Sequence, residues 1–191
     1  MADRQLRRGR AAVRRLPLAV LAAALSSCAA DRAAPPAAQL SLPLPLGEAV
    51  RAARILDAPG RLECVPYARR LSGIRIRGDA WTWWDSARGR YGRGRVPAPG
   101  SVLVFRRYRG SLGHVAVVRR VIGARLIVAD HADWLNGGRI HKGTPIADLS
   151  AAGDWSEVRV WYTPGGHWGR RLYPAYGFIY PGRTVADSRG P

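Results

Sequence analysis

The chain has 191 residues, 47% of them apolar with seven Trp and seven Tyr, and carries a formal net charge of +18. That is enough apolar material for one domain with one core, which excludes a disordered polyelectrolyte, and no uncharged apolar run long enough to span a bilayer follows the N-terminal segment. The charge rests on arginine, Lys142 being the only lysine, and favours anionic partners; but the arginines are scattered and no basic helix interleaved with stacking aromatics occurs, so no nucleic-acid partner is expected.

Residues 1–15 hold six arginines against Asp3, and the apolar run Leu16–Leu25 follows. A charged start, a short apolar middle and then small residues make a secretory signal. A buried amphipathic helix does not fit, because the arginines cluster at one end and the apolar run has no polar face. The run ends Leu25-Ser26-Ser27-Cys28, which resembles the bacterial lipobox and would make Cys28 the lipidated first residue after removal of residues 1–27; the alternative is ordinary cleavage after Ala30. Loss of residues 1–27 removes six arginines and one aspartate and leaves +13, so the signal does not account for the basicity. Residues 28–46, rich in Ala, Pro and Leu, read as a tether from the membrane. The expected location is the cell envelope or periplasm, with a membrane contact through Cys28.

The folded part is expected over residues 47–181, followed by a tail at 182–191. Apolar spacing from Glu48 to Leu56 predicts a short helix. A second helix should begin near Cys64, because Pro66 suits only a first turn. A third is expected over Ala80–Ala87, with Asp79 as its cap and Trp81, Trp83 and Trp84 along it. Strands follow at Ser101–Phe105, His114–Val118, Arg125–Asp130, Val158–Trp161 and Gly177–Tyr180, with Gly123 in a hairpin turn between the second and third. Helices first and antiparallel strands after predict an α+β domain.

Two cysteines occur, Cys28 and Cys64. A Cys28–Cys64 disulfide would staple the signal boundary to the core, which is unusual. With Cys28 lipidated, Cys64 is a lone thiol in an oxidising compartment, a liability unless it is used or buried. At a helix start its pKa should fall, and the same backbone amides are placed to hold an oxyanion. Of the four histidines, His114 alone opens an apolar strand behind a glycine, so it is the candidate base; the ordinary alternative is a satisfied core histidine. Its second ring nitrogen needs an orienting group. Asp130 ends the next strand and Asp133 follows, and either acid is within reach of a strand pairing; Asp133 also suits a loop cap. Asp130, His131, Asp133 and His141 invite a metal reading, but no ligand motif of recognised spacing is present, and neither metal nor cofactor is expected. Trp83 and Trp134 are candidate substrate contacts on a cleft wall.

Four blocks in order, Glu63-Cys64-Val65-Pro66-Tyr67-Ala68-Arg69, Gly78-Asp79-Ala80-Trp81-Thr82-Trp83-Trp84, Pro99-Gly100-Ser101-Val102-Leu103-Val104-Phe105 and Gly113-His114-Val115-Ala116-Val117-Val118, resemble the CHAP family of cysteine, histidine-dependent amidohydrolases and peptidases. Asp130-His131-Ala132-Asp133-Trp134 is similar to that family's block around its third catalytic residue. The resemblance implies a papain-like α+β fold, with N-terminal helices packed on an antiparallel sheet. It implies Cys64 as nucleophile and His114 as base, with Asp130 at the third position. Asp133 stands where many members carry Asn before an aromatic residue, so the orienting acid is left between the two, with Asp130 ahead. The implied substrate is peptidoglycan, cut as an N-acetylmuramoyl-L-alanine amidase or a peptide endopeptidase; a monomer is expected. The competing reading is a non-catalytic cell-wall-binding module of the same fold.

Overall fold

The computed structural model describes residues 45–58 and 60–183. The signal, Cys28 and most of the tether lie outside the described residues, as does the chain from 184 onward. Among the described residues no helix is long and apolar enough to cross a membrane.

Helices are few and short. They are α1 (Pro45–Ala52), α2 (Cys64–Ser72) and α3 (Trp83–Ser86), the last preceded by a 3₁₀ turn at Ala80–Thr82. Strands dominate: β1 (Arg54–Leu56), β2 (Tyr91–Gly94), β3 (Val102–Phe105), β4 (His114–Gly123), β5 (Leu126–Ala132), β6 (Ile140–Asp148), β7 (Glu157–Tyr162) and β8 (His167–Arg183). The sheet runs β1-β6-β5-β4-β3-β8-β2, and β7 pairs with both β6 and β8. Strands β3 to β8 therefore close into a ring, every pairing antiparallel, which leaves no open edge within the ring.

Closure sets the two larger apolar clusters, beside a small one of Leu46, Leu126 and Ala147. One side of the strands gathers Leu103, Phe105, Ala116, Val118, Ile127, Ala129, Val158 and Phe178 around the buried Trp155. Alternate residues of the same strands, Val102, Val104, Val115 and Val117, face the other way, onto Ala68 of α2 and the fully buried Trp83. Strands β3, β5 and the first half of β4 are buried on both faces, so they read as continuous apolar runs instead of alternating ones.

The differences from the sequence reading have local causes. The expected Glu48–Leu56 helix starts at Pro45 and stops at Ala52, because Arg54–Leu56 is drawn into β1 by pairing with Ile140–Lys142. The third helix is split into a 3₁₀ turn and one α turn, and the Asp79 side chain makes no capping bond. Strand β6 was not expected: it contains Gly143, at φ +64°, and Pro145, both of which argue against a strand. Pro145 is tolerated because its recorded partner is Val128 of β5 alone, the pairing with β7 starting one residue later at Ile146.

Candidate active site

Cys64 opens α2, following Glu63 in extended conformation, with Pro66 in the first turn where a missing N–H costs nothing. The thiol is half-buried and free. Backbone hydrogen bonds reach it from Val115 and from Val65. Val115 is the residue after His114, so the start of α2 meets the start of β4 head on.

His114 is held there by three constraints. It pairs with Phe105 across the β3–β4 ladder. Its buried ring packs edge-on against Phe105 at 5.6 Å and against Trp134 at 4.8 Å between centroids. The preceding Gly113, at φ +75°, lets the chain pass against Trp81: a Cβ there would stand 2.8 Å from the Trp81 nitrogen. Cys64, His114, Asp133 and Asn136 line one cavity of about 560 Å³.

The group that meets His114 is not an acid. Its Nε2 lies 2.9 Å from Nδ1 of His131, and Nε2 of His131 lies 3.1 Å from the Thr144 hydroxyl of β6. With Nε2 engaged, Nδ1 of His114 is the nitrogen left for the thiol. The proton order consistent with that role has His114 donating from Nε2 to His131 Nδ1, and His131 donating from Nε2 to Thr144 Oγ1.

Both aspartates expected to orient His114 are engaged elsewhere. Asp130 Oδ1 accepts the Gly143 N–H at 2.8 Å, and Oδ2 pairs with Arg119 at 3.6 Å. It stands opposite Val117, on the α2 side of the sheet, whereas His114 faces the other side with Ala116 and Val118. Asp133 takes φ +58° and its Oδ1 accepts the Gly138 N–H at 2.7 Å, which makes it the cap of the turn after β5; it still lines the cavity. Trp83 is corrected likewise: fully buried in the cluster under α2, it is not on a cleft wall. Trp134 is half-buried, packs on His114 and Tyr173, and lines the cavities beside the site. Among the described residues no group of three or more His, Cys, Asp or Glu is disposed to hold a metal ion.

Burial controls the electrostatics. It pushes the His114 imidazole down to about 3, with nearby His141 adding to the fall, and lowers His131 in the same way. His141, 5.2 Å from His131 between centroids, is lowered to about 4 by burial and by Arg139. Burial also raises the Cys64 thiol, outweighing the backbone bonds that lower it. The helix start was expected to lower that thiol; desolvation of the half-buried sulfur outweighs the backbone bonds. At neutral pH the resting pair is thus thiol and neutral imidazole.

The His131 contact was missed for a traceable reason. Below the β4–β5 turn the paired residues are Val121 with Ile127 and Arg120 with Val128; above it they are Val118 with Ala129 and Val117 with Asp130. One extra residue, Arg119, has been inserted. Without that bulge Val118 would oppose Asp130 and the acid would share a face with His114; with it, parity flips and His131 takes the place.

A thiol at a helix start, lining one cavity with a histidine at a strand start, supplies the two groups that amide hydrolysis by cysteine requires. The model of the CHAP domain matches residues 57–133, a span that holds Cys64, His114 and His131. No curated protein matches the chain. CHAP domains are hydrolases of the peptidoglycan amidase and peptidase type. The match stops one strand short of Thr144, and within it the four sequence blocks fall in order: it is to the CHAP domain that residues 57–133 of this chain are similar.

Proposed function

We propose that the chain is a cysteine hydrolase that cleaves an amide bond of peptidoglycan, with Cys64 as nucleophile, His114 as base and then acid, and His131 as the group that orients His114. The observation that carries this reading is the head-on meeting of α2 and β4, which sets the thiol against the Val115 amide beside His114 in one open cavity. The α2-on-sheet packing through Ala68, Val115 and Val117 supports the papain-like arrangement of such enzymes.

His114 Nδ1 takes the thiol proton as Sγ attacks the carbonyl carbon. Backbone N–H groups of Cys64 and Val65, the first of α2, hold the oxyanion in this reading. The imidazolium returns its proton to the leaving amine, the C–N bond breaks, and a thioester remains. Water, deprotonated by the same nitrogen, attacks the thioester and releases the acid and the thiol. His131 keeps the ring in the productive orientation throughout by accepting from Nε2, and lends no negative charge to the imidazolium. Residues 1–28 support export to the envelope with Cys28 as a lipid anchor.

The test is digestion of purified peptidoglycan by the full chain and by Cys64→Ala, with new ends identified by mass spectrometry. Fragments released by the wild type alone establish the hydrolase, and the new termini name the bond. Retained wall binding with no release by either favours the non-catalytic module.

A further inference from the structure

We propose that Arg171 forms a subsite for a free carboxylate on the departing, amine-bearing half of the peptide, along a branch of the cleft that starts at His114; this rests on the hydrolase reading. The cavity holding Cys64 shares Gly113, His114 and Asn136 with a second cavity of about 240 Å³, which adds Trp134, Arg171 and Tyr173. Those last three also line a third, of about 500 Å³, that runs on to Trp161 and Tyr162. The three cavities adjoin through these shared residues, and the series begins at the residue that must hand a proton to the leaving amine. The chain beyond that amine leaves on the His114 side, and in a peptide this is the half that ends in a carboxylate.

Arg171 is suited to receive it. Its guanidinium lies 5.4 Å from the Tyr108 ring centroid and 5.9 Å from that of Tyr173, and hydrogen-bonds the Tyr173 hydroxyl. Packing against aromatic rings fixes a guanidinium while leaving part of its N–H fork free for a planar anion. Among the described residues no carboxylate pairs with Arg171: the ion pairs use Arg88, Arg95, Arg119, Arg120, Arg125 and Arg139. The one acid on the near branch, Asp133, is committed to the Gly138 N–H. Arg106, over Tyr176, adds a second positive charge on the same wall. On the other side of Cys64, by contrast, Arg69 and Arg77 share the cavity with Glu63 and Asp79, and the charges balance. Only the His114 branch is both aromatic and uncompensated in charge.

The experiment uses the full chain carrying Cys64→Ala, which binds without turnover. The probes are a synthetic stem peptide, alanyl-glutamyl-lysyl-alanine with free carboxylates, and the same peptide with its C-terminal carboxylate amidated, titrated by calorimetry. The acid should bind about fivefold tighter than the amide, the worth of a partly exposed charge pair. Arg171→Ala should bring the two affinities together, and Arg171→Gln, which keeps the stem, should do the same with the near-UV circular dichroism unchanged. Equal binding of acid and amide before the change, an acid preference that survives both substitutions, or no saturable binding of the acid peptide each overturns the subsite. Wall digestion by the wild type is read separately. Digestion without acid preference removes the subsite and keeps the hydrolase; acid preference without digestion does the reverse.

Discussion

His114 Nε2 and His131 Nδ1 stand 2.9 Å apart, and neither ring is bonded to a carboxylate. A neutral imidazole accepts one hydrogen bond and thereby fixes the ring that donates it, which is the positioning half of what an acid does without the charge. His131→Ala is expected to lower kcat/KM about a hundredfold, in the range of misplacing a general base. His131→Asn, whose side-chain oxygen can accept the same bond, should recover part of the loss. Asp130→Asn and Asp133→Asn should stay within several fold of wild type, because neither acid touches His114. Steady-state rates on one soluble peptide settle it: a collapse in Asp130→Asn with normal His131→Ala would restore the acid to the third position.

The two residues proposed to carry the reaction were legible because each has its own local signal. Pro66 fixes where α2 must start, and so puts Cys64 at its head; Gly113 followed by an apolar run fixes the start of β4 at His114. The third residue depends on register, and one bulge residue decides it. Nothing local in Val118-Arg119-Arg120 marks the bulge, although the finished structure explains it: displaced from the ladder, Arg119 pairs with the Asp130 that the flip carries to its side. Strand β6 and its Thr144 were hidden by Gly143 and Pro145, which argue against a strand until the pairing with β5 alone at Pro145 is known. Trp83 illustrates the opposite failure, since a tryptophan looks alike in a sequence whether it floors a cleft or fills a core.

Burial without a charged partner leaves Cys64 as a thiol at rest, and this has a kinetic signature. Alkylation by iodoacetamide follows the thiolate fraction. Because the Cys64 pKa is raised from the ordinary 9.0, the rate should climb through pH 9 without levelling and show no plateau near neutrality. The rate at pH 7 should fall below that of a free thiol in a peptide. A sigmoid with its midpoint below pH 7 would reveal a thiolate–imidazolium pair and sink the neutral-pair account.

Three buried histidines also govern acid stability. His114, His131 and His141 all have folded pKa values lowered from 6.5, so each takes up a proton on unfolding before it does in the native state. Their contribution is present above about 6.5 and is lost as pH falls toward about 4 for His141 and about 3 for His114. In that window each neutral ring should make unfolding easier by about 1 kcal/mol per pH unit. Urea denaturation at pH 7.5, 6, 5 and 4.5 should therefore show a steep fall in midpoint, and His141→Gln should flatten the curve. A midpoint constant across that range would mean the rings are not held neutral.

Gly113 is where fold and chemistry meet most tightly. Its φ of +75° disfavours any side chain, and a Cβ would stand 2.8 Å from the Trp81 nitrogen, 2.9 Å from its Cβ and 3.0 Å from its Cα. The Trp81 N–H in turn donates to the Leu112 carbonyl at 3.1 Å, so the two segments are already bonded and neither can simply retreat. Gly113→Ala should cost about 2 kcal/mol, the sum of a left-handed alanine and a backbone contact that must open. The relief available is a shift of the residue that follows, which is His114, so activity should fall further than stability: kcat/KM by tenfold or more, at a temperature where the variant is fully folded. Gly110, at φ +79° with nothing within 4 Å of a Cβ, supplies the comparison. Gly110→Ala bears the conformational strain alone and should lose stability while keeping its rate. Equal losses of rate in the two variants would show that Gly113 serves the turn and not the placement of His114.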